Sequence, residues 1–326
     1  MIVLEFCLLL GVIVFAAYLL SRGAEVLAAK WGCNIVGSII LALVTTLPEY
    51  AFVFWASMKS DYQMAIGSAI GACTLLITLG YGLVIVLATS RWSKHPVKEI
   101  RLSKATRIDA LYLLLTGIVA FIFVWHDDVL SFTEAIILSL IMVGYVCQVF
   151  RKSASDNNAG SHDVTKKQIV RAGVEMFIGG VLVFICSESF VDSMRDLAFL
   201  MHVSPVVIAL ILGPIASEMP EKLTAYLVVL KDGRNAEISV CNFLGSKVNH
   251  NSLLLAVMPF VAYYKGHEVV TGIKSLNFLV MTVLTVAVSA LLVKGRLQKW
   301  QGWVLVAAYV AAMAIAAQTP MAGSHR

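Results

Sequence analysis

Apolar runs of about twenty residues recur from one end of this chain to the other, separated by short polar loops. Ten can be delimited, at roughly 2–20, 35–57, 65–89, 108–125, 130–149, 170–188, 204–229, 236–263, 275–293 and 302–318. The pattern predicts an all-α polytopic membrane protein. Its longest polar interval, Arg151 to Lys167, divides five spans from five. The expected organisation is therefore a first five-helix repeat over 1–150, a cytoplasmic connection over 151–168 and a second repeat over 169–326. An odd number of spans per half obliges the second half to enter the membrane upside down, so the two repeats must be inverted.

Composition agrees with that pattern and removes the soluble alternatives. The 326 residues are 59% hydrophobic and only 14% charged, far too apolar for an ordinary globular enzyme. Charge then fixes the orientation. Most of the 25 Lys and Arg residues fall in odd-numbered loops, including Arg91, Lys94, Lys98, Arg101, Lys104 and Arg107 in the third. The even-numbered loops hold only Lys59, Arg195, Lys265 and Lys274. With basic loops cytoplasmic, both termini lie on the non-cytoplasmic side, and the expected location is the plasma membrane. The positive charges follow topology and do not suggest nucleic acid. The six cysteines show no paired spacing and read as small packing residues.

Two positions contradict the apolar pattern. "LVTTLPEY" (Leu43 to Tyr50) and "ASEMPEKL" (Ala216 to Leu223) each set a Pro-Glu pair inside a span, the second and the seventh, which are counterparts. Proline lacks an amide hydrogen and clashes with the preceding turn, so each helix should break or kink just before Glu49 and Glu221. Carbonyls freed in hydrocarbon are tolerated only where they face protein, water or an ion. An intramembrane acid costs about 2.5 kcal/mol or more. Thr45 and Thr46 precede Glu49 by four and three residues, and Ser217 precedes Glu221 by four, so these hydroxyls share a helical face with the acids. Glu218 adds a third carboxylate. The result is an oxygen-rich site for a hard cation. Lys222, about 100° round the helix from Glu221, is expected to face elsewhere.

These two segments resemble the alpha-repeat motifs of the cation/calcium exchanger superfamily, whose usual form is Gly-Thr-Ser-Leu-Pro-Glu. The segments after them, "GSAIGAC" from Gly67 and "CNFLGSKVNHN" from Cys241, are similar to that family's Gly-Asn-x-x-Gly-Ser-Asn stretch. The resemblance covers nearly the whole chain. It implies a secondary antiporter, not an enzyme, in which Glu49 and Glu221 coordinate the transported cation with help from Thr45, Thr46, Ser217 and Ser246. Calcium exchanged for Na⁺ or H⁺ is the implied activity. Inorganic cations and the bilayer are the implied partners, no cofactor is called for, and a monomer or weak homo-oligomer would suffice.

The departures leave alternatives open. Leu76 stands where the family has Asn, Glu218 where it has serine, Lys247 where it has Asn, and His250 where an Asn or Asp is usual. His250 is a further possible ligand. Lys247 is expected to compensate Glu218, an added acid answered by an added base. A transporter of another cation such as Mg²⁺, or a membrane scaffold subunit that no longer transports, remain the competing readings.

Overall fold

The structure, a computed structural model, describes residues 2–31, 42–155, 164–266 and 269–318. Ten helical spans lie among the described residues. They are α1 (Ile2–Trp31), α2 (Leu47–Met58), α3 (Tyr62–Ala88), α4 (Lys104–Asp127), α5 (Phe132–Ser155), α6 (Lys166–Leu200), α7 (Pro205–Lys231), α8 (residues 236–264), α9 (Leu276–Lys294) and α10 (Lys299–Ala317). The polar residues of the loops start these helices. Ser103, Thr165 and Ser275 accept the amides of Thr106, Gln168 and Phe278 at the heads of α4, α6 and α9, and Asp61 accepts that of Met64 at the head of α3. Gly295 ends α9 with φ 78°, a left-handed conformation that glycine adopts without strain.

Seven helices are long and apolar enough to cross a membrane: α1, α3, α4, α5, α6, α9 and α10. They turn residues such as Leu4, Leu8, Phe177, Ile185 and Val310 outward, the surface an integral multi-pass protein presents to lipid. The other three, α2, α7 and α8, carry Pro48 and Glu49, Pro214, Glu218, Pro220, Glu221 and Lys222, and Lys247 and Pro259. They lie inside the bundle, together with α3, which is mostly buried despite its apolar sequence.

Two short ribbons tie the loops together, and their pairing shows how the halves are related. Strand β1 (Ile100–Arg101), between α3 and α4, pairs with β4 (Arg296–Leu297), between α9 and α10. Strand β2 (Val129–Ser131), between α4 and α5, pairs with β3 (Val269–Thr271), between α8 and α9. Exchanging the halves, α1 for α6 and so on, converts one pairing into the other. The first ribbon joins odd-numbered loops and the second joins even-numbered loops, so they lie on opposite membrane faces and the exchange turns the molecule over. The pair α1 and α6 fits this relation. Phe6 stacks on Phe190 at 5.7 Å, while Arg22 lies 3.6 Å from Glu175, so the two helices run antiparallel.

Several boundaries differ from the sequence expectation, most of all in α1 and α6. Helix α1 continues to Trp31, and α6 covers Lys166–Leu200 where 170–188 was expected. Charged residues end the apolar runs there without ending the helices, because they are paired sideways. Lys59 holds Asp192 at 2.6 Å and Glu188 at 3.4 Å, and Arg195 holds Asp61 at 2.7 Å. The expected break before Glu49 is present. Helix is interrupted at Thr46 and restarts at Leu47, with Pro48 in the first turn, where its missing amide costs nothing. Before Glu221 there is no break: α7 runs through both Pro214 and Pro220. Ser217 and Thr224 spend their hydroxyl protons on the carbonyls of Gly213 and Pro220 beside these sites. Residues 35–41 of the expected second span, and residues 156–163 of the 151–168 connection, lie outside the described residues.

Candidate cation-binding site

The α3–α7 contact sets the depth at which the acids meet. A side chain at Gly71 would start 2.1 Å from the Leu210 carbonyl oxygen, and one at Gly67 2.7 Å from that of Val206. Only glycine lets these backbones approach so closely. Five residues beyond Gly71, α3 contains one π-helical turn, Leu76–Gly80; five residues beyond Gly245, α8 contains another, His250–Leu254. The two repeats thus place the same irregularity at matching positions. A π turn widens the helix and re-aims its side chains, and such turns are frequent at functional sites.

Three helices converge on the centre. Glu49, in the first turn of α2, is buried, and neither carboxylate oxygen has a hydrogen-bond partner. Glu218 comes from the middle of α7, and His250 opens the π turn of α8. One donor atom from each of Glu49, Glu218 and His250 lies within 4.8 Å of the others. His250 Nε2 is 3.5 Å from Glu218 Oε1. Most of the buried unpartnered side-chain atoms among the described residues belong to this region: both oxygens of Glu49, Oε1 of Glu218, both imidazole nitrogens, and one atom each of Asn242, Asn249 and Asn251. Buried polar atoms are normally satisfied, so a concentration of orphans marks a place prepared for something polar.

Glu221 lies beside this cluster and is differently held. Its Oε1 accepts Asn242 Nδ2 at 2.9 Å and Ser246 Oγ at 3.0 Å, with the Thr45 hydroxyl alongside. Glu25 of α1 lies within reach of Thr224 and Glu221 at the edge of the same region. The other expected hydroxyls are turned to their own backbones: Thr46 donates to Ala42 and Ser217 to Gly213. Their oxygen lone pairs remain free to accept.

The lysines are placed otherwise than the sequence suggested. Lys222, expected to face away, is buried and paired through its ammonium with Glu218 Oε2, over the Phe243 ring at 5.7 Å. Lys247 does not take Glu218 as its hydrogen-bonded partner. Its Nζ donates to Asn251 Oδ1 at 2.8 Å, an oxygen that also accepts Cys73 Sγ at 3.5 Å. Both ammoniums use an acceptor four positions away on their own helix. The 218/222 spacing, with the acid on the N-terminal side, was the available signal for the role of Lys222.

Residues 1–151 and 173–318 match the family described as sodium/calcium exchanger protein. The chain belongs to that family. Membership makes it a secondary active cation antiporter of the alternating-access kind and not an enzyme. It is similar to an uncharacterized membrane protein of Methanocaldococcus jannaschii, 22% identical over 294 residues and 90% of either chain. It is also similar to the inner membrane protein YrbG of Escherichia coli, 24% identical over 260 residues and 76% of either chain. Among solved structures, an H⁺/Ca²⁺ exchanger, CAX, superposes with a TM-score of 0.76 at 20% identity, over 97% of this chain and 85% of that one. The sodium-calcium exchanger NCX_Mj gives 0.68 at 22% identity, over 96% and 97%. These likenesses show the exchanger fold.

Proposed function

We propose that this exchanger carries one divalent cation at the Glu49–Glu218–His250 centre and returns Na⁺ or H⁺ in exchange. The observation that carries the reading is Glu49: an unpartnered buried carboxylate on one repeat, facing an acid and an imidazole of the other. An ion between them would join the repeats, and releasing it would free them to move. A centre with uncompensated charge passes through the dry intermediate only at high cost, which couples the conformational change to occupancy. Thr45, Thr46, Ser217 and Ser246 supply neutral oxygens around the carboxylates. Glu221, with its Asn242 and Ser246 donors, is the place for the returning Na⁺ or H⁺. Calcium is the cation that the family resemblance implies, and the H⁺/Ca²⁺ and sodium-calcium exchangers of the same fold support a divalent cargo.

The same proposal includes two repeats, 1–150 and 169–326, about a cytoplasmic 151–168 connection, with both termini outside the plasma membrane. The basic odd-numbered loops support it. A monomer or weak homo-oligomer suffices, since one chain supplies every group of the centre. The test is divalent flux in proteoliposomes under imposed Na⁺ and pH gradients. Glu49→Gln, which keeps size and removes charge, should abolish flux in a protein that still elutes as a single species. Undiminished flux in that variant would end the assignment of the site.

A further inference from the structure

We infer that the cargo of this centre is a divalent transition metal of the Zn²⁺ and Co²⁺ class, in preference to Ca²⁺. The inference rests on the site proposed above and names the ion it selects. The donor set is mixed: carboxylate oxygens of Glu49 and Glu218 together with an imidazole nitrogen of His250. Calcium takes six to eight oxygen ligands, whereas imidazole suits Zn, Cu, Fe and Ni and is widespread in transition-metal sites.

Three details of the structure favour the nitrogen donor. His250 is buried and both ring nitrogens lack a hydrogen-bond partner, so the ring is not held as a packing residue by polar contacts of its own. Its Nε2 lies 3.5 Å from Glu218 Oε1, close to the separation of about 3.4 Å expected for two ligands bound about 2.1 Å from one ion at the tetrahedral angle. Lys222 occupies Glu218 Oε2, so Glu218 has one oxygen left to give. A carboxylate held to one oxygen, a second carboxylate and an imidazole make a low-coordination site. Calcium would have to recruit most of its six to eight oxygens from outside these three side chains.

The test uses the purified full-length chain and its proteoliposomes, with Zn²⁺, Co²⁺ and Ca²⁺ as probes. Zn²⁺ should bind at least tenfold more tightly than Ca²⁺, and Co²⁺ should show visible absorption bands that change when His250 is replaced. His250→Asn should lower the Zn²⁺-to-Ca²⁺ affinity ratio at least tenfold, with His250→Gln and size-exclusion profiles controlling for misfolding. Equal affinities in the unmodified protein, or an unchanged ratio and unchanged Co²⁺ bands in both variants, would overturn the inference. The readings separate cleanly. Glu49→Gln abolishing all divalent flux while the ratio ignores His250 leaves the site standing and removes only the metal preference; flux indifferent to Glu49→Gln removes both.

Discussion

The buried pair of Glu218 and Lys222 offers the sharpest test of the centre. Both side chains are almost wholly inaccessible, at 3% and 1% exposed, and they form an ion pair. Removing one partner of such a pair leaves a charge without compensation and costs about 3–5 kcal/mol. Glu218 Oε1 has no hydrogen-bond partner to take over, so Lys222→Met should cost about 3 kcal/mol or more. Glu218→Gln strands the ammonium against the Phe243 ring, a weaker partner, and should cost as much or more. The double variant replaces two charges by two neutral groups of similar shape and should recover most of the loss. The assay is a double-mutant cycle on thermal unfolding of the purified protein, repeated for divalent affinity. Lys222→Met should tighten divalent binding about tenfold, because one positive charge leaves the site's edge. Stability effects that add to within about 0.5 kcal/mol would show the two groups to be uncoupled and would refute the reasoning.

Other expectations follow from single contacts. Gly71→Ala drives a methyl group to 2.1 Å from the Leu210 carbonyl and should cost about 3 kcal/mol or more, read as a lowered unfolding temperature, whereas Gly11→Ala meets nothing within 4 Å and should be neutral or better. A destabilised Gly11→Ala with an intact Gly71→Ala would contradict the packing. Arg195→Ala removes the two bonds to Asp61 at 2.7 and 3.0 Å and should cost about 1 kcal/mol, shrinking at high salt; salt-independent loss would deny its electrostatic origin. For orientation, Asp127→Cys should react with an impermeant maleimide on intact cells, and Lys98→Cys only after permeabilisation, in a background without native cysteines. The reverse labelling would invert the topology.

What could be seen in the sequence was mostly what depends on position along one helix. The Pro-Glu pairs marked α2 and α7 as counterparts, and Gly71 and Gly245 set the register of α3 and α8, in which the π turns coincide. What could not be seen depends on how one helix is rotated against another. Glu49 meets Glu218 and His250, while Glu221 is drawn aside by Asn242 and Ser246, and no spacing within α7 decides which acid turns inward. The expected Lys247–Glu218 pair failed for the same reason. It required two helices to present their charges to each other, when each lysine had an acceptor four residues away on its own helix. The lengths of α1 and α6 were misjudged because a charged residue inside a membrane helix is a boundary only if nothing beside it carries the opposite charge.

Formal charge connects these placements to the transport cycle. Glu49, Glu218 and Glu221 lie near the proposed centre with Lys222 and Lys247, with Glu25 at its edge, and His250 would ligate as a neutral imidazole. Four carboxylates against two ammoniums leave a charge of −2, which one divalent cation cancels. Without the lysines the same acids would demand two divalent ions or several sodium ions before the site could cross a dry intermediate. The ammoniums travel with the protein and are never released, so they act as fixed occupants of positions that mobile cations would otherwise fill. The departures in the second repeat then form a coherent set. On the proposed site, Glu218 would add a ligand and a charge, Lys222 beside it would cancel that charge through one of its oxygens, and His250 would supply a donor without adding charge. A site altered in this way keeps the electrostatic condition for exchange while changing which ion can meet it.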